Sequence, residues 1–332
     1  MTIAVTGSCG MIGSNLCHWL IDNTEHFIVG IDNKKGGYVE NMPELSNRFH
    51  FRNFDLDCQS TLNYCFRHYK PDIVYHFAAY AAENLSPFIR NYNYTNNLVC
   101  TANVVNACIN HDVKRLVFAS SIAVYGHGKP PFFEGDTPIP NDPYGNAKLA
   151  CEIDIHIAGQ QHGLDWCIVR PYNVYGIRQN ISDKYRNVIG IFINQYLNQK
   201  PFTIFGDGSQ KRAFTNVEDI MYPLYVAGIS PNTSKQIINL GSTNKYTVKE
   251  VAEILQEIVC GGEIEYLDAR HEVHNAYAQN YKAVAFLDFK ETIPLYEGIK
   301  KMYNWCLKNR REPTKFNPEY EITKGMYKAW QR

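Results

Sequence analysis

The glycine-rich stretch near the start of the chain limits the possible folds more than any other feature. The letters "TGSCGMIG" place Gly7, Gly10 and Gly13 directly after the apolar run "IAVT" and directly before a helical pattern at 11–23. The first glycine permits a tight turn, the second lets the backbone approach a pyrophosphate, and the third lets the helix pack closely on the strand. A strand, a turn and a helix in this order predict the first unit of a dinucleotide-binding sheet.

Short apolar runs alternate with longer helical patterns through the first half of the chain. This alternation predicts parallel strands joined by crossover helices, and therefore an α/β fold with a Rossmann-type doubly wound parallel sheet. The strand-like runs are 3–6, 27–31, 49–54, 73–79, 115–121 and 167–174, and the later helix-length segments are 58–70, 87–111 and 144–163.

Beyond residue 176 the alternation loosens, with helical patterns near 187–199 and 247–259. We expect a smaller C-terminal substrate-binding lobe here, interleaved with strands that return to the main sheet. Residues 1–176 are then the dinucleotide-binding Rossmann domain, and residues 177–332 form most of the second lobe. The prolines of the tail, 311–332, predict an extended strap over the surface.

The balance of charges and the lack of long apolar runs restrict the binding partners that this chain can have. The chain has 33 basic and 33 acidic residues, so no overall positive field would attract nucleic acid or anionic lipid. No apolar run reaches the roughly 18 residues that a membrane span needs, and the ten cysteines are scattered without a C-x-x-C pair. We expect a cytoplasmic protein with reduced cysteines whose partner is a small molecule or a second copy.

Two aspartates follow the second and third predicted strands. Asp32 lies about 20 residues beyond Gly13, where a carboxylate can accept both hydroxyls of an adenosine ribose and repel a 2′-phosphate, which favours NAD. Lys34 and Lys35 follow it and could instead hold such a phosphate. Asp55 either reaches the adenine edge or caps its own loop, and its position alone does not decide between the two.

Several motifs follow the glycine loop in a fixed order. The loop itself has the spacing G-x-x-G-x-x-G rather than G-x-G-x-x-G. The later motifs are "HFAAYAAE" (76–83), "SSIAVYG" (120–126), "YGNAK" (144–148), "RPYNVYG" (170–176), "FGDGSQKRAFTNVED" (205–219) and "INLGS" (238–242). With these motifs the chain resembles, nearly end to end, the extended short-chain dehydrogenase/reductase family, specifically its NAD-dependent nucleotide-sugar epimerases and dehydratases of the UDP-glucose 4-epimerase type.

A tyrosine and a lysine share one face of the predicted helix 144–163. At i and i+4, Tyr144 and Lys148 could be a solvated surface pair or a base beside an ammonium that lowers its pKa from about 10. Ser121, at the carboxyl end of a predicted parallel strand, favours the second interpretation, because open α/β sheets place their ligands there. The resemblance implies that Tyr144 takes a proton from a sugar hydroxyl, that Ser121 bonds the same oxygen, and that Lys148 also holds the nicotinamide ribose.

The residues after Ser121 separate branches of the resembled family. Its dehydratases carry an Asp-Glu pair there, whereas this chain has Ile122 and Ala123, which cannot transfer protons. The cysteine and glutamate that mark other branches at this point are also missing. The resemblance then implies the simplest reaction of the family, in which hydride leaves one sugar carbon and returns to its opposite face.

Two arginines match family positions that grip a diphosphate. Arg212 and Arg270 are suited to bidentate phosphate contacts. The chain departs from the family at Ala213, which replaces an aspartate, and at "RHEV", where Glu272 is the only nearby carboxylate. These departures leave the identity of the nucleotide and the sugar open. His271 and His274 lack a third ligand at a sensible spacing, so we predict no metal.

The glycine loop, the two aspartates and the resemblance together imply two sets of contacts. The expected cofactor contacts are Gly7, Gly10, Met11, Ile12, Gly13, Asp32, Asn33, Asp55, Leu56, Phe77, Ala78, Ala79, Asn97, Tyr144, Lys148 and Pro171. The expected substrate contacts are Ser121, Asn173, Asn187, Val188, Thr203, Phe205, Arg212 and Arg270.

The predicted activity is NAD-dependent epimerisation at C4 of a UDP-hexose in its glucose/galactose, N-acetyl or uronic acid form, through a transient 4-keto sugar. The alternatives are another sugar-nucleotide modification, by a C2 epimerase or a 4,6-dehydratase, and a non-catalytic NAD sensor. The resemblance also implies a homodimer in which helices 87–111 and 144–163 pair with their copies in a four-helix interface, with Val99, Val104 and Ile155 among the apolar positions.

Overall fold

The fold was analysed in a computed structural model that describes residues 1–270, 272–314 and 319–330. His271 and two parts of the expected strap, 315–318 and 331–332, lie outside the described residues. The strands are β1 Thr2–Thr6, β2 Phe27–Asp32, β3 Phe49–Asn53, β4 Ile73–His76, β5 Arg115–Ala119, β6 Trp166–Pro171, β7 Val174–Tyr175, β8 Phe202–Phe205, β9 Lys211–Ala213, β10 Thr215–Asn216, β11 Gln236–Leu240, β12 Lys245–Thr247, β13 Ile264–Leu267 and β14 Asn275–Ala276. The α-helices are α1 Met11–Asn23, α2 Gln59–Tyr69, α3 Arg90–Tyr94, α4 Cys100–Asn110, α5 Pro143–His162, α6 Val188–Leu197, α7 Met221–Ile229, α8 Val248–Val259, α9 Tyr281–Leu287 and α10 Leu295–Lys308.

Seven strands form one parallel sheet in the order β3-β2-β1-β4-β5-β6-β11. The central strands are buried on both faces, which explains their nearly continuous apolar sequences. Strands β2 and β3 lie on one side of β1, and the chain then crosses to the other side of β1, where β4 is added. This reversal leaves a crevice at the carboxyl ends of the strands, where doubly wound sheets bind ligands. The predicted Rossmann-type sheet is confirmed.

Helices cover both faces of the sheet. On one face α1, α7 and α9 pack through residues such as Leu16, Leu224 and Leu287. On the other face α2, α4 and α5 pack through residues that include Val104 and Ile155, both fully buried. Val104 and Ile155 therefore belong to the core, because the helix face on which they lie is turned toward the sheet.

A smaller lobe lies beyond the carboxyl ends of the strands. Helices α6, α8 and α10 surround an apolar core that contains Phe192, Phe202 and Ile299. Short ladders, β8 with β13 and β9 with β12 and β14, line the side of the lobe next to the sheet. Helix α8 begins with a reciprocal cap, in which Thr247 accepts from the Glu250 amide and the Glu250 carboxylate accepts from the Thr247 amide. Strand β11 and helices α7 and α9 from the second half join the main sheet.

The described part of the tail lies against the turn after β4. Met326 and Trp330 pack with Leu85 and Phe88 in one apolar cluster. The Glu321 carboxylate accepts hydrogen bonds from the first amides of α3, those of Asn91 and Tyr92, both at 2.7 Å. The tail therefore ties the turn 83–88 and the start of α3 to the rest of the molecule.

Candidate active site

A cavity of about 820 Å³ lies where the strand order reverses, between the sheet and the smaller lobe. Ligand sites of small molecules have volumes of roughly 300–1,000 Å³. The walls of this cavity come from the loops after β1, β2, β4 and β5 and from α5, α6, β8 and β9.

The glycine loop forms one end of the cavity, and its backbone approaches other chain segments too closely for side chains. Gly7 has φ of +72°, and a Cβ on it would lie 2.7 Å from the Ala78 amide nitrogen. A Cβ on Gly13 would lie 2.2 Å from the Gly7 carbonyl oxygen. These glycines let the first turn of α1 open directly onto the cavity, so its free amides can receive an anionic group.

Asp32 ends β2 beside this loop. Its carboxylate accepts from the Cys9 amide at 3.0 Å and from the Lys34 amide at 2.6 Å. Burial raises the pKa of Asp32, while these two hydrogen bonds oppose the rise. The carboxylate is thereby held on the cavity wall, in the position where a ribose can donate to it.

Asp55 lines the cavity and is also bonded to neighbouring side chains, and its contact with an adenine edge stays a prediction. Its carboxylate accepts from Lys35 Nζ at 2.7 Å and from Asn33 Nδ2 at 3.0 Å. Burial opposes ionisation, but these two donors outweigh it and lower the pKa of Asp55. The Lys35 charge is therefore directed at Asp55 rather than at the ribose beside Asp32.

All but one of the residues expected to touch the cofactor line the cavity. The exception is Asn97, which is fully buried behind the wall, where its side chain accepts from the Tyr80 amide at 2.8 Å and donates to the Tyr80 carbonyl at 3.3 Å. The structure thus places Asn97 as a support of the loop 77–80 rather than on the cavity surface. The expected residues on the wall, besides Asp32, Asp55, Tyr144 and Lys148, are Gly7, Gly10, Met11, Ile12, Gly13, Asn33, Leu56, Phe77, Ala78, Ala79 and Pro171.

Ser121, Tyr144 and Lys148 all line the cavity, and Ser121 forms a hydrogen bond with Tyr144. Asp142 caps α5 by accepting from the Gly145 amide at 2.9 Å, and Pro143 opens the helix, which fixes where Tyr144 begins its first turn. The Lys148 ammonium donates to the Ala119 carbonyl at 2.7 Å at the end of β5. The tyrosine and lysine are thus buried site residues and not a solvated pair.

The ionisation of this group differs in one respect from the expectation. Burial, followed by the carboxylate of Glu83, raises the pKa of Tyr144, while a hydrogen bond with Ser121 opposes the rise. Burial also lowers the pKa of Lys148 to about 8. The Lys148 Nζ lies 5.9 Å from the centre of the Tyr144 ring.

The two expected phosphate-binding arginines lie at the far end of the cavity and share a carboxylate. Arg270 donates to Glu272 at 3.0 Å and lies over the ring of Phe205, at 4.4 Å. Arg212 is 3.7 Å from Glu272 and donates to the carbonyls of Val273 and His274. The three charges leave one net positive charge at this end of the cavity.

The other expected substrate residues are also on the wall. Asn173, in a left-handed conformation at φ of +44°, donates to the Ala213 carbonyl at 3.0 Å. Asn187 caps α6 by accepting from the Ile189 amide at 2.9 Å, and this cap places Val188 at the cavity. Thr203 is bonded to Gln195 through both its hydroxyl and its amide.

Sequence reasoning missed many wall residues, among them Glu83, Arg186 and Trp330. Arg186 is paired with Asp183 at 2.8 Å and lies over the Tyr80 ring. Glu83 ends the motif "HFAAYAAE", so its place shortly after a strand end was a usable signal. Trp330 comes from the tail, far from every motif, and nothing in the sequence points to it.

Within the described ranges there is no group of three or more His, Cys, Asp and Glu side chains placed to hold a metal ion. In the same part of the chain no helix is both long enough and apolar enough to cross a membrane.

Comparisons with known proteins agree with this geometry. The family model of the NAD-dependent epimerase/dehydratase family matches residues 3–241. The chain belongs to this family. UDP-glucose 4-epimerase of Halalkalibacterium halodurans is 31% identical over 92% of this chain and 95% of its own length. Mouse dTDP-D-glucose 4,6-dehydratase is 28% identical over 92% of this chain and 89% of its own. The structure of UDP-glucuronic acid 4-epimerase from Bacillus cereus with UDP-glucuronic acid and NAD superposes with a TM-score of 0.86 at 29% identity, over 93% of this chain and 99% of that one.

Membership of this epimerase/dehydratase family confirms NAD as the predicted cofactor, and the wall residues fit it. The glycine cradle would hold the pyrophosphate, Asp32 would accept from the adenosine ribose, and Lys148 would hold the nicotinamide ribose. UDP-sugar 4-epimerases recur among the relatives, in agreement with the predicted class of enzyme.

Proposed function

We propose that this family member epimerises C4 of a UDP-hexose through a transient 4-keto sugar. The observation that carries the proposal is that Ser121, Tyr144 and Lys148 lie together on the wall of the cavity that the glycine loop also lines. A sugar carbon held there has a proton acceptor on one side and the cofactor site on the other.

Each of the three side chains has a role that its contacts support. Tyr144 takes the proton of the C4 hydroxyl and later returns it, and Ser121 hydrogen-bonds the same oxygen. Lys148, held by the Ala119 carbonyl, places its ammonium where it stabilises the ionised phenol. NAD, when bound, accepts a hydride from C4 and gives it back.

Inversion requires that the sugar turn over while the rest of the substrate stays fixed. Arg212 and Arg270 support this step, because the guanidinium groups can hold the diphosphate. Arg212 is itself held by three backbone carbonyls, which limits its movement while the sugar turns over. Phe205, beneath Arg270, offers an aromatic face to the nucleotide.

Dehydration is the second reaction found among the relatives. Ile122 and Ala123 argue against it here, because both are buried, lie next to Ser121 and have no group that transfers protons. Epimerisation needs only the proton acceptor and the cofactor, and both sites are present.

The test is incubation of the purified protein with UDP-glucose, UDP-galactose, their N-acetyl forms and UDP-glucuronate, followed by chromatography of the products. We expect interconversion of one C4 epimer pair at a constant NAD content. A 4-keto-6-deoxy product, or inversion at C2, would contradict the proposal.

We further propose a cytoplasmic homodimer in which α4 and α5 pair with their copies. In support, Val99 is 47% exposed, and Ile153 and Ile157 on α5 are 54% and 40% exposed. Ile153 and Ile157 are one helical turn apart and so share a face. The cytoplasm is supported by the cysteines, all ten of which are unpaired.

A further inference from the structure

Glu83 stands out on the cavity wall because it has no role in the reaction described above. It begins a short 3₁₀ turn, Glu83–Phe88, separated from the end of β4 by six residues, and it lines the cavity. Its carboxylate has no hydrogen-bond or salt-bridge partner within 1–270, 272–314 and 319–330. Glu83 is exposed to the cavity, so its carboxylate is accessible to a ligand that binds there.

The position of Glu83 is fixed by Ser86, which is fully buried. The Ser86 hydroxyl donates to the Glu83 carbonyl at 2.7 Å and accepts from the Tyr144 amide at 3.2 Å. These bonds lock the turn to the first turn of α5. Glu83 and the Tyr144 phenol are thereby held on the same side of the cavity.

Charged neighbours locate Glu83 along the length of the site. The carboxylate raises the pKa of Tyr144 at one end, second only to burial. At the other end it is among the charges that act on Arg212, together with Glu272 and Arg270. Glu83 thus lies between the proton acceptor and the diphosphate end. A hexose whose C4 is at Tyr144 and whose C1 phosphate is at the arginines occupies this interval.

We propose that Glu83 selects the sugar, by accepting a hydrogen bond from a hydroxyl or amino substituent and by disfavouring a carboxylate at C6. This inference rests on the proposed function and narrows it to neutral or amino hexoses. A carboxylate next to a carboxylate is repelled, whereas a hydroxyl forms a charge-assisted hydrogen bond.

The first test compares wild type with Glu83→Gln, which keeps the shape and removes the charge, using UDP-glucose and its N-acetyl form beside UDP-glucuronate. For wild type we expect kcat/KM to be at least about 100-fold lower for UDP-glucuronate, since like charges in contact cost several kcal/mol. The variant should lose about tenfold on the neutral sugar and gain about tenfold on the uronate, the size of one charge-assisted hydrogen bond. Glu44→Gln, at an exposed position, is the matched control and should change neither.

The pH dependence of the sugar preference distinguishes a charge effect of Glu83 from a merely structural one. Glu83 is exposed to the cavity but surrounded by its walls, and the desolvation there, followed by the Asp142 carboxylate, raises its pKa to about 7. The groups facing Glu83 are Asp142 and Tyr144 on α5, Arg212 on β9, and Arg270 and Glu272 on the loop after β13. Below pH 7 the Glu83 carboxyl group is mostly protonated and repels the uronate carboxylate only weakly. Above pH 7 it is mostly ionised and repels the uronate carboxylate strongly. The preference for the neutral sugar should therefore grow as pH rises through about 7, and in Glu83→Gln this increase should be lost.

The possible outcomes separate this inference from the proposed function. Equal wild-type turnover of uronate and neutral sugar overturns the role of Glu83 and leaves epimerisation standing. A loss of more than about 1,000-fold on every sugar with unchanged binding would make Glu83 an acid or base instead. If no sugar nucleotide turns over, the proposed function fails. Calorimetric Kd values of UDP-glucose and UDP-glucuronate for wild type and Glu83→Gln then still decide: an unchanged ratio overturns the inference, and a shift toward the uronate supports it.

Discussion

In the proposed reaction centre Tyr144 and Lys148 are both buried, and their burial works against the charged forms that the proposed reaction needs. Burial raises the pKa of Tyr144 and lowers that of Lys148 to about 8. The site therefore favours a neutral phenol among the described groups, and the positive charges that assemble with the cofactor must shift the balance. Tyr144 and Lys148 serve the same proton transfer in the proposal, so a substitution of either one tests that step.

Tyr144→Phe should reduce turnover by at least about 100-fold, because it removes only the oxygen that accepts the proton. NAD content and thermal stability should stay unchanged, since the ring and its packing remain. Tyr64→Phe, at a 69% exposed position, is the matched control. Near-normal turnover of the Tyr144 variant would eliminate this residue as the base.

Asp32 should determine the choice between NAD and NADP. Denaturing the purified protein should release NAD, and Asp32→Asn should reduce the preference for NAD over NADP by at least about tenfold, because a 2′-phosphate no longer meets a carboxylate. Asp22→Asn provides a control on an exposed part of α1. Release of NADP from wild type would contradict the assignment.

The pair Arg170–Glu152 should contribute strongly to stability. Both side chains are at most 4% exposed, and two hydrogen bonds join them at 2.6 and 2.9 Å. Arg170→Met leaves the Glu152 charge buried without compensation and should lower the free energy of unfolding by about 3–5 kcal/mol. Urea denaturation measures the loss, and Arg170→Met combined with Glu152→Leu should recover much of it. An unchanged midpoint for the single variant would contradict this view.

At the scale of elements, local patterns located most strands and helices because their signals are local. The expected helix 11–23 matches Met11–Asn23, since the glycine loop marks its start. The expected helix 87–111 was wrong at its start, because Glu83–Phe88 forms a 3₁₀ turn that contains Pro87, and helical structure begins at Arg90. The expected strand 167–174 was wrong as one piece, because it divides after Pro171 into β6 and β7. These ends depend on tertiary contacts that no local pattern contains.

The cap on α3 is such a contact. Glu321 accepts from the amides of Asn91 and Tyr92, and the partners are separated by some 230 positions in the sequence. Glu321→Ala should lower the free energy of unfolding by about 0.5–2 kcal/mol, the usual effect of removing an N-terminal cap. Urea denaturation beside Glu319→Ala, an exposed neighbour, tests it. Equal stability of the two variants would show that the cap does not hold the tail.

At the scale of the whole molecule, the motifs predicted which residues surround the cavity far better than how they are bonded. Every expected substrate residue lies on the wall, yet the sharing of Glu272 by two arginines was not foreseen. Glu83 and Trp330 reach the same cavity from segments far apart in the chain. Their convergence follows from the packing of the tail on the turn after β4, which periodicity cannot reveal.

The proposed dimer is a property of the whole molecule as well. Light scattering at micromolar concentration should give the mass of two chains. Ile153→Glu with Ile157→Glu should give the mass of one, because charges on this face would be buried in the interface. Ile139→Glu, at a 52% exposed position outside the helices, should leave the dimer intact. A monomeric wild type would contradict the proposal.

The most direct test of the proposed reaction follows one hydrogen atom. A UDP-hexose deuterated at C4, chosen as the substrate found in the panel, is incubated with the NAD-loaded enzyme and its product is examined by NMR and mass spectrometry. We predict a C4 epimer that retains the deuterium at C4, because the same hydride leaves and returns within one turnover. Loss of the label to solvent, its transfer to another carbon, or inversion at a different carbon would contradict the account.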